Sequence, residues 1–280
     1  MNKIFLSLMI MVVGLVSAQT HRFFYEVDFR RDIRSQERTK ELMVLDIGEE
    51  EIKFYAHKML KADSLYNLPN YGDLISSGQL NPTPNFEEKL KRKKGTNENI
   101  SYYAPALFAY YSVKTKDSQD WKLQPEKKQI GDLKVQRATA DFGGRSWEAW
   151  FCADIPFPEG PHKFRGLPGL ILELKDTQGD YHFTFAGNKI IKEKVDTTFF
   201  LETDSKNRNP IEIDEKKLRK IQKDYYENPY KDLGNSKAYR VVNGERQPVD
   251  AREEIARMRE FILKYKSNPI EIDKAVKYTK

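Results

Sequence analysis

The sequence predicts a mainly β protein: a curved or partly closed antiparallel sheet with a C-terminal helical portion. Three observations support this fold class. Apolar and polar residues alternate along residues 22–30, as they do in a half-buried strand. Glycine pairs and Pro-Gly turns separate many of the apolar segments that follow. Helical spacing becomes clear only after about residue 201.

The first strands lie close together in the chain. In residues 22–30, one side of the predicted strand is apolar, with Phe23, Tyr25, Val27 and Phe29. Residues 42–47 and 52–56 repeat the pattern on either side of a turn around Gly48. Because so short a connection can join only antiparallel strands, we expect these segments to be neighbours in one sheet.

A long insertion interrupts this pattern at about residues 63–100. Pro69, Pro82 and Pro84 punctuate it, and a basic run at residues 89–94 ends in Gly95. Such a segment is typical of a long, partly mobile excursion from a sheet.

Turn residues mark the centre of the sheet. Gly143-Gly144 joins apolar strands at residues 133–142 and 145–152, and it suits a tight hairpin. Farther on, a structural turn of Gly166, Pro168 and Gly169 fits a type II turn, with proline at its first central position and glycine at its second. The following strand, residues 170–174, is apolar except for Glu173, which predicts a central strand covered on both faces.

Two helices are expected in the C-terminal portion, residues 201–280. Apolar residues recur at helical spacing in residues 214–226, and Asn228-Pro229 ends the segment. Asp250 can cap a second helix whose apolar stripe holds Ile255, Met258 and Ile262. A small hairpin at residues 238–246 precedes it. The chain thus divides into a β-rich core, residues 19–200, and a helical portion packed on the core or appended to it.

The string Gly166-Leu-Pro-Gly-Leu-Ile171 resembles the signature of the GLPGLI family of exported proteins from Bacteroidota. Ala149-Trp-Phe, Asp154-Ile-Pro and Gly160-Pro-His-Lys-Phe164 extend the likeness. The resemblance implies export and a shared fold, and it brings neither an established activity nor catalytic residues. Many relatives are expected to carry an aromatic residue where His162 stands, which argues against an essential histidine there.

The first eighteen residues read as a signal peptide. Lys3 precedes an apolar run at residues 4–16, and Val16-Ser-Ala18 suits signal peptidase. Cleavage would leave a formal charge of +6 − 1 = +5, with acidic residues interspersed among the basic ones. This pattern favours a solvated surface over a nucleic-acid footprint. We expect a periplasmic or extracellular protein without a transmembrane segment after cleavage.

The sequence shows no pattern typical of a catalytic or metal centre. Cys152 is the only cysteine, and beside Phe151 in a strand it is read as a small buried hydrophobe. The four histidines, at positions 21, 57, 162 and 182, lack metal-ligand spacing. No Gly-x-Ser-x-Gly elbow is present. We therefore predict no catalytic residue, no metal and no cofactor.

Charged and aromatic residues interleaved around the signature are the candidate binding residues. Glu173 should require a cationic partner such as Arg145 or Arg165, either as a structural ion pair or as part of a contact surface. The candidates are Arg145, Trp147, Trp150, His162, Lys163, Arg165 and Glu173.

Three functions remain open at this point. The first is a non-enzymatic envelope protein that binds a partner protein or a small ligand through the signature face. The others are an uncharacterised envelope hydrolase and a structural accessory subunit. A polar triad in a cleft would favour the hydrolase, an apolar cavity would favour ligand binding, and an exposed apolar stripe on the Asp250 helix would favour assembly.

Overall fold

A computed structural model of the chain describes residues 19–105, 109–193, 195–204, 208–230, 239–242, 245–248 and 250–278. The predicted signal peptide and the Asn243-Gly244 turn lie outside these residues. The strands are β1 (Thr20–Phe29), β2 (Thr39–Ile47), β3 (Glu51–Ala56), β4 (Leu90–Lys93), β5 (Glu98–Tyr103), β6 (Tyr111–Lys116), β7 (Lys122–Ile130), β8 (Leu133–Phe142), β9 (Arg145–Cys152), β10 (Leu170–Asp176), β11 (Tyr181–Ile191), β12 (Ile211–Glu212), β13 (Tyr239–Val242) and β14 (Glu245–Pro248). The helices are α1 (His57–Leu65), α2 (Tyr71–Ser76), α3 (Glu215–Glu227) and α4 (Ala251–Lys266).

Most of the chain forms one open sheet of twelve strands. Their order is β12-β6-β5-β4-β3-β2-β1-β11-β10-β9-β8-β7. The pairs are antiparallel except β12 with β6, which run parallel. The prediction of a mainly β protein with antiparallel neighbours is therefore confirmed, and β10 lies in the sheet interior as its apolar sequence indicated. β13 and β14 form a separate hairpin.

Local sequence accounts for several of these elements. The predicted apolar side of β1 is buried along its whole length. Gly143 and Gly144 have φ of 64° and 76°, the pair of positive values that a two-residue type I′ hairpin between β8 and β9 requires. Asp250 caps α4 by accepting hydrogen bonds from the backbone N–H groups of Arg252 and Glu253.

The sheet is strongly curved. In sheet order β4 and β9 are six strand intervals apart, which would be about 29 Å in a flat sheet. Yet Glu159 contacts Arg92 of β4, while Phe164 packs against Trp147 of β9 with ring centroids 4.6 Å apart. The five residue steps between Glu159 and Phe164 span at most about 17 Å, to which the reach of the side chains adds. On the same face the rings of Phe54 of β3 and Phe183 of β11 meet, with centroids 6.5 Å apart, although three strand intervals would separate these strands by about 14 Å in a flat sheet. Side chains of distant strands therefore converge on the face that the β9–β10 loop, residues 153–169, covers, as they do on the concave side of a curved sheet.

Each face of the sheet carries its own core. Alternate residues of β2 and β3 point to opposite sides: Leu45 and Phe54 belong to the main core, which also contains Phe164 and Leu167 of the loop. Val44 and Tyr55 belong to a second cluster on the outer face. That outer face is covered by α1 and by a π-helical turn at Thr198–Glu202. The loop that carries the signature thus packs on the concave side of the sheet and contributes to the main core there.

The segment predicted as a long excursion contains one strand of the sheet, β4, and the start of another, β5. The helices α1 and α2 precede residue 77, but β4 and the start of β5 lie within the insertion, and these strands pair with each other and with β3 and β6. The basic run at residues 89–94 forms β4, and the side chain of Arg92 is fully buried. The run is thus part of the sheet: the charge of Arg92 is compensated by Glu159, much later in the chain, while Lys93 and Lys94 at its end are exposed.

The turn before β10 is not a type II turn. Gly169 N–H donates to Leu167 O at 2.8 Å, which closes a γ-turn around Pro168, and Leu170 N–H donates to Ile155 O rather than to Leu167. Gly169 has a φ of 152°, and a Cβ built there would lie 2.1 Å from Cys152 O. Glycine is required at position 169, as expected, but it is required because the backbone there passes very close to the backbone of Cys152.

The helical portion rests on the rest of the chain. Arg259 of α4 donates to Tyr226 O of α3 at 3.0 Å, and Lys266 pairs with Glu87 at 2.6 Å. The predicted stripe faces inward, since Ile262 is buried and Ile255 and Met258 are half-buried. The stripe is therefore not the exposed surface that would have favoured an assembly role. Among the described residues, no helix is both long and apolar enough to cross a membrane.

Candidate functional site

The structure places the predicted binding residues mainly inside the protein. Four of them are at most 2% exposed: Arg145, Trp147, His162 and Lys163. The other three, Trp150, Arg165 and Glu173, are half-buried. They are distributed over β9, the β9–β10 loop and β10 and do not converge on one exposed face.

Arg145 is a buried connector between β9, the β10–β11 turn and the C-terminal tail. Its Nη1 donates to Asp176 at 2.8 Å and to Asp180 at 2.7 Å. Its remaining N–H groups reach Asn268 Oδ1 at 2.6 Å and Ile270 O at 3.1 Å. Burial raises the pKa of Asp180, but its contacts with Arg145 outweigh this effect and the net pKa is lowered. The expected pairing of Arg145 with Glu173 is wrong.

Glu173 instead pairs within the sheet. The Nζ of Lys128 on β7 donates to one carboxylate oxygen, and His182 Nε2 of β11 lies 3.0 Å from the other. Lys128 also lies 4.3 Å from the ring of Trp150. Burial raises the pKa of Glu173, while Lys128 and His182 lower it, and the net direction is down. This cluster ties β10 to its neighbour β11 and, across β9 and β8, to the edge strand β7. It matches the structural alternative, a half-buried ion pair, with partners other than the expected arginines.

Arg165 belongs to a second buried group. Glu159 accepts a hydrogen bond from Arg92 of β4, and Arg165 Nε lies 3.4 Å from the same carboxylate. Asn99 Oδ1 of β5 accepts from Arg92 Nη1 at 2.9 Å. Arg165 Nη1 also donates to Thr96 O at 2.8 Å. Glu159 therefore holds the signature loop to β4, and Arg165 holds it to the β4–β5 turn.

Lys163 extends this group toward the C terminus. Its ammonium lies 2.6 Å from Glu271 and 3.4 Å from Asp117, and Lys274 completes the group at 2.6 Å from Glu271. Burial raises the pKa of Asp117, whereas Lys163 and hydrogen bonds lower it, with a net downward direction. The acidic and basic members compensate one another, so the group stabilises a fixed arrangement of loop and tail.

His162 is the one described residue other than glycine with positive φ, at 55°. Its ring packs edge-on against Phe54 at 6.2 Å, and Nε2 lies 3.7 Å from Glu88. Nδ1 has no hydrogen-bond partner among the described residues. The histidine thus packs against an aromatic ring of β3 in the interior, with its Nε2 toward Glu88.

Cys152 is fully buried in the main core, as its sequence context predicted. The histidines are dispersed: His21 packs on Phe157, His57 on Phe24, and His182 pairs with Glu173. Across the described ranges, no group of three or more potential metal ligands comes together. The chemistry available at the signature is ion pairing and packing.

A pocket on the outer face offers a different kind of site. It has a volume of about 650 Å³ and lies between α1, α2, the ends of β5 and β6, and the π-helical turn. Five aromatic side chains form much of its wall: Tyr66, Tyr71, Tyr110, Phe199 and Phe200. We call it the aromatic pocket; its other lining residues are Met59, Ala62, Asp63, Pro82, Lys89, Ala104, Ala109, Thr203, Asp204 and Arg208.

The aromatic wall is well ordered by internal contacts. Tyr66 packs on Phe199 with centroids 4.6 Å apart and on Tyr71 at 5.3 Å. Tyr110 donates its hydroxyl proton to Leu201 O at 2.6 Å, which fixes its ring. Tyr66 nonetheless remains 46% exposed. A large aromatic surface is therefore presented to solvent within a concavity, which is the usual composition of a small-molecule site.

Two charged groups of the aromatic pocket lack an oppositely charged partner at ion-pair distance among the described residues. Lys89 Nζ donates to Phe200 O at 3.4 Å and lies 4.7 Å from the ring of Tyr110. Burial lowers the pKa of Lys89 to about 8, with a smaller opposing effect of Glu87. The pKa of Asp63 is raised by burial and by the nearby Asp196.

Sequence reasoning did not find this pocket. Its residues come from the insertion, from the β5–β6 region and from the segment after residue 197, which no local pattern connects. The available signal was the density of aromatic residues at Tyr102–Tyr111 and the Phe199-Phe200 pair.

These observations define a class: an open, curved β-sheet protein with an interior signature loop and an aromatic-walled pocket on its outer face. Residues 144–173, from the β8–β9 turn into β10, match the profile of a family described as a protein of unknown function (Porph_ging). The match includes the whole signature segment. None of the curated proteins matches the chain.

Solved structures share part of this architecture. PNGF-II in a C2 crystal form has a TM-score of 0.51 at 15% identity, and in a P21 form 0.50 at 17%. In both cases the likeness covers 73% of this chain and 33% of PNGF-II, so the chain spans about a third of that protein's length. An outer membrane lipoprotein-sorting protein domain from Vibrio parahaemolyticus gives a TM-score of 0.29 at 9% identity, over 65% of this chain and 88% of that domain. At these identities the PNGF-II likeness concerns the fold alone.

Proposed function

We propose that this chain is an exported GLPGLI-type protein of the bacterial envelope that binds a small organic molecule in the aromatic pocket. Export is inferred from the leader-like first eighteen residues, and the GLPGLI relationship from the Gly166–Ile171 signature. The protein acts by binding rather than by catalysis. Its signature loop provides the frame that holds the curved sheet in shape.

The observation that carries this proposal is the wall of the aromatic pocket. A volume of about 650 Å³ falls within the range of small-molecule sites, about 300–1,000 Å³. Tyr66 and Phe199 present ring surface there, and covering an aromatic ring removes apolar area from water at about 25 cal/mol per Å². A ligand with a planar or apolar body is therefore the occupant that this wall favours.

Binding at the signature face, the earlier hypothesis, has less support. Lys163 and His162 are each 1% exposed, and the half-buried Arg165 donates to Thr96 O and contacts Glu159. A partner could reach them only if the loop left the concave side of the sheet. The fully buried Cys152 likewise offers no accessible nucleophile for the hydrolase alternative.

Calorimetric titration with indole, a neutral aromatic probe, tests the proposal. Ala62 is 7% exposed and lines the aromatic pocket, so Ala62→Trp should fill the space and abolish binding. Tyr66→Ala removes one ring of the wall and should weaken binding about tenfold, corresponding to about 1.4 kcal/mol. Folding of both variants is checked by thermal unfolding.

The matched control is Lys61→Trp, which adds the same ring on the exposed side of α1, next to Ala62 but outside the pocket. It should leave indole binding unchanged. Indole binding that survives Ala62→Trp in a folded protein, or an absence of binding to the wild type, would contradict the proposal.

A further inference from the structure

We propose that the natural ligand of the aromatic pocket is a zwitterion of the amino acid or short peptide class, with an ammonium group, a carboxylate and an aromatic or apolar body. This inference rests on the proposed function, because it assigns a ligand class to the same pocket. Its basis is the pair of opposite charges on the wall, Lys89 and Asp63, for which the described part of the chain supplies no ion pair.

Lys89 provides the site for the carboxylate. Its side chain lies beside Tyr110, and among the described residues its ammonium donates a hydrogen bond to Phe200 O alone, at 3.4 Å. An ammonium group has three N–H donors, so donor capacity remains for an incoming group. The described residues place no carboxylate at ion-pair distance from it, and its nearest acidic influence, Glu87, is paired with Lys266 at 2.6 Å. A ligand carboxylate would supply the missing counter-charge.

Asp63 provides the site for the ammonium group. It lies on α1 one residue after Ala62, and both line the aromatic pocket. Among the described residues no cation pairs with its carboxylate, and Asp196 adds a second negative charge nearby. A carboxylate that is partly buried and faces another acid is stabilised by an added cation. A ligand ammonium would meet this need.

The remaining charged pair of the wall is already neutral. Asp204 accepts from Arg208 Nε at 2.7 Å, so these two side chains compensate each other. Lys89 and Asp63 are not in ion-pair contact with each other, and they therefore act as two separate charged points. A purely anionic ligand would leave the charge of Asp63 uncompensated. A purely cationic ligand would leave the charge of Lys89 uncompensated. A ligand with both charges satisfies both groups while its body covers the rings of Tyr66 and Phe199.

Four probes that share one ring system test the proposal by calorimetry. Tryptophan carries both charges, N-acetyltryptophan the carboxylate alone, tryptophan amide the ammonium alone, and indole neither. We expect tryptophan to bind at least tenfold more tightly than either singly charged probe. Glycyl-tryptophan and its two blocked forms repeat the comparison with a greater separation between the charges.

Substitutions at Lys89 and at Asp63 assign each charge to its partner. Lys89→Met should remove the preference for tryptophan over tryptophan amide, and Lys89→Arg should retain it. Asp63→Asn should remove the preference for tryptophan over N-acetyltryptophan. Matched controls are Lys40→Met, at a lysine paired with Glu26, and Asp132→Asn, in the turn between β7 and β8; both preferences should persist in them.

The outcomes separate this inference from the function on which it depends. Equal affinity of the wild type for all the probes, or charge preferences that persist in both Lys89→Met and Asp63→Asn, would overturn the zwitterion assignment while the pocket remained a binding site. Failure of every probe to bind, indole included, would overturn the pocket function together with it.

Discussion

Gly169 and Cys152 approach each other so closely that a Cβ on Gly169 would lie 2.1 Å from Cys152 O. The contact brings the end of the signature loop against the end of β9 and sets the start of β10. The signature therefore encodes a backbone crossing that only glycine permits, at the point where the loop enters the sheet.

We expect Gly169→Ala to lower the free energy of unfolding by about 3 kcal/mol or more, because the methyl group overlaps backbone atoms that cannot move independently. Gly72→Ala is the control, since a Cβ there meets nothing within 4 Å. It should be neutral or slightly stabilising, because alanine is the better helix former within α2. Denaturant unfolding measures both, and similar midpoints for the two variants would contradict the crossing.

Arg145→Met should destabilise the protein by about 3 to 5 kcal/mol, because it leaves the buried carboxylate of Asp176 without its cation and leaves Asp180 with Arg30 alone. Arg137→Met is matched in chemistry and removes ion pairs on the same sheet, but its side chain is 30% exposed. That control should cost less than about 1 kcal/mol. Comparable losses in the two variants would show that Arg145 is not a buried connector.

The ion pair between Arg145 and Asp180 predicts that the free energy of unfolding depends on pH in the acid range. The folded-state pKa of Asp180 is lowered, so its stabilisation is complete above the unfolded pKa of about 3.9 and is lost as the pH falls through the folded value. The destabilisation caused by Arg145→Met should accordingly be largest near neutral pH and should shrink below about pH 4. Unfolding curves at pH 7 and pH 3 measure this difference; a constant difference between the two pH values would refute it.

The buried Lys89 predicts that the free energy of unfolding also depends on pH in the alkaline range, because its charged form is disfavoured in the folded protein. Its folded-state pKa is lowered to about 8, so below that value the folded protein carries a charge that burial disfavours. The unfolded chain binds more protons between pH 8 and about 10.4, and this contribution to stability therefore rises across that interval. Lys89→Met should raise the free energy of unfolding at pH 7 and give a smaller gain at pH 10. An equal gain at both pH values would argue against a buried ammonium.

The expected mature N terminus is Gln19, because Val16-Ser-Ala18 provides the small residues that signal peptidase selects. Expression of the full chain in a bacterial host with an envelope, followed by intact-mass analysis of the envelope fraction, checks the cleavage. A chain recovered with Met1 in place would refute it. Substitution of Ala18 by a bulky residue such as Ala18→Tyr should block processing and serves as the control.

Features set by nearby residues were predictable from the sequence. The alternation of β1, the Gly143-Gly144 hairpin and the Asp250 cap each depend on residues within a few positions, and all three are present in the structure. Their physical causes, the two faces of an extended chain, positive φ in a tight turn and unpaired N–H groups at a helix start, act locally.

Other features depended on residues that only the folded chain brings together. The partner of Glu173 is Lys128, 45 residues earlier, and neither expected arginine reaches it. The sequence places Arg92 in a basic run within a partly mobile excursion, yet Glu159, 67 positions later, compensates its charge in the interior. The aromatic pocket likewise joins α1 to a turn more than 130 positions farther along the chain, at Phe199. The alternation of side chains in the sequence determined which faces would be buried. Which charges meet, and where a cavity remains, were decided by the curvature of the sheet, because that curvature sets the distances between residues far apart in the sequence.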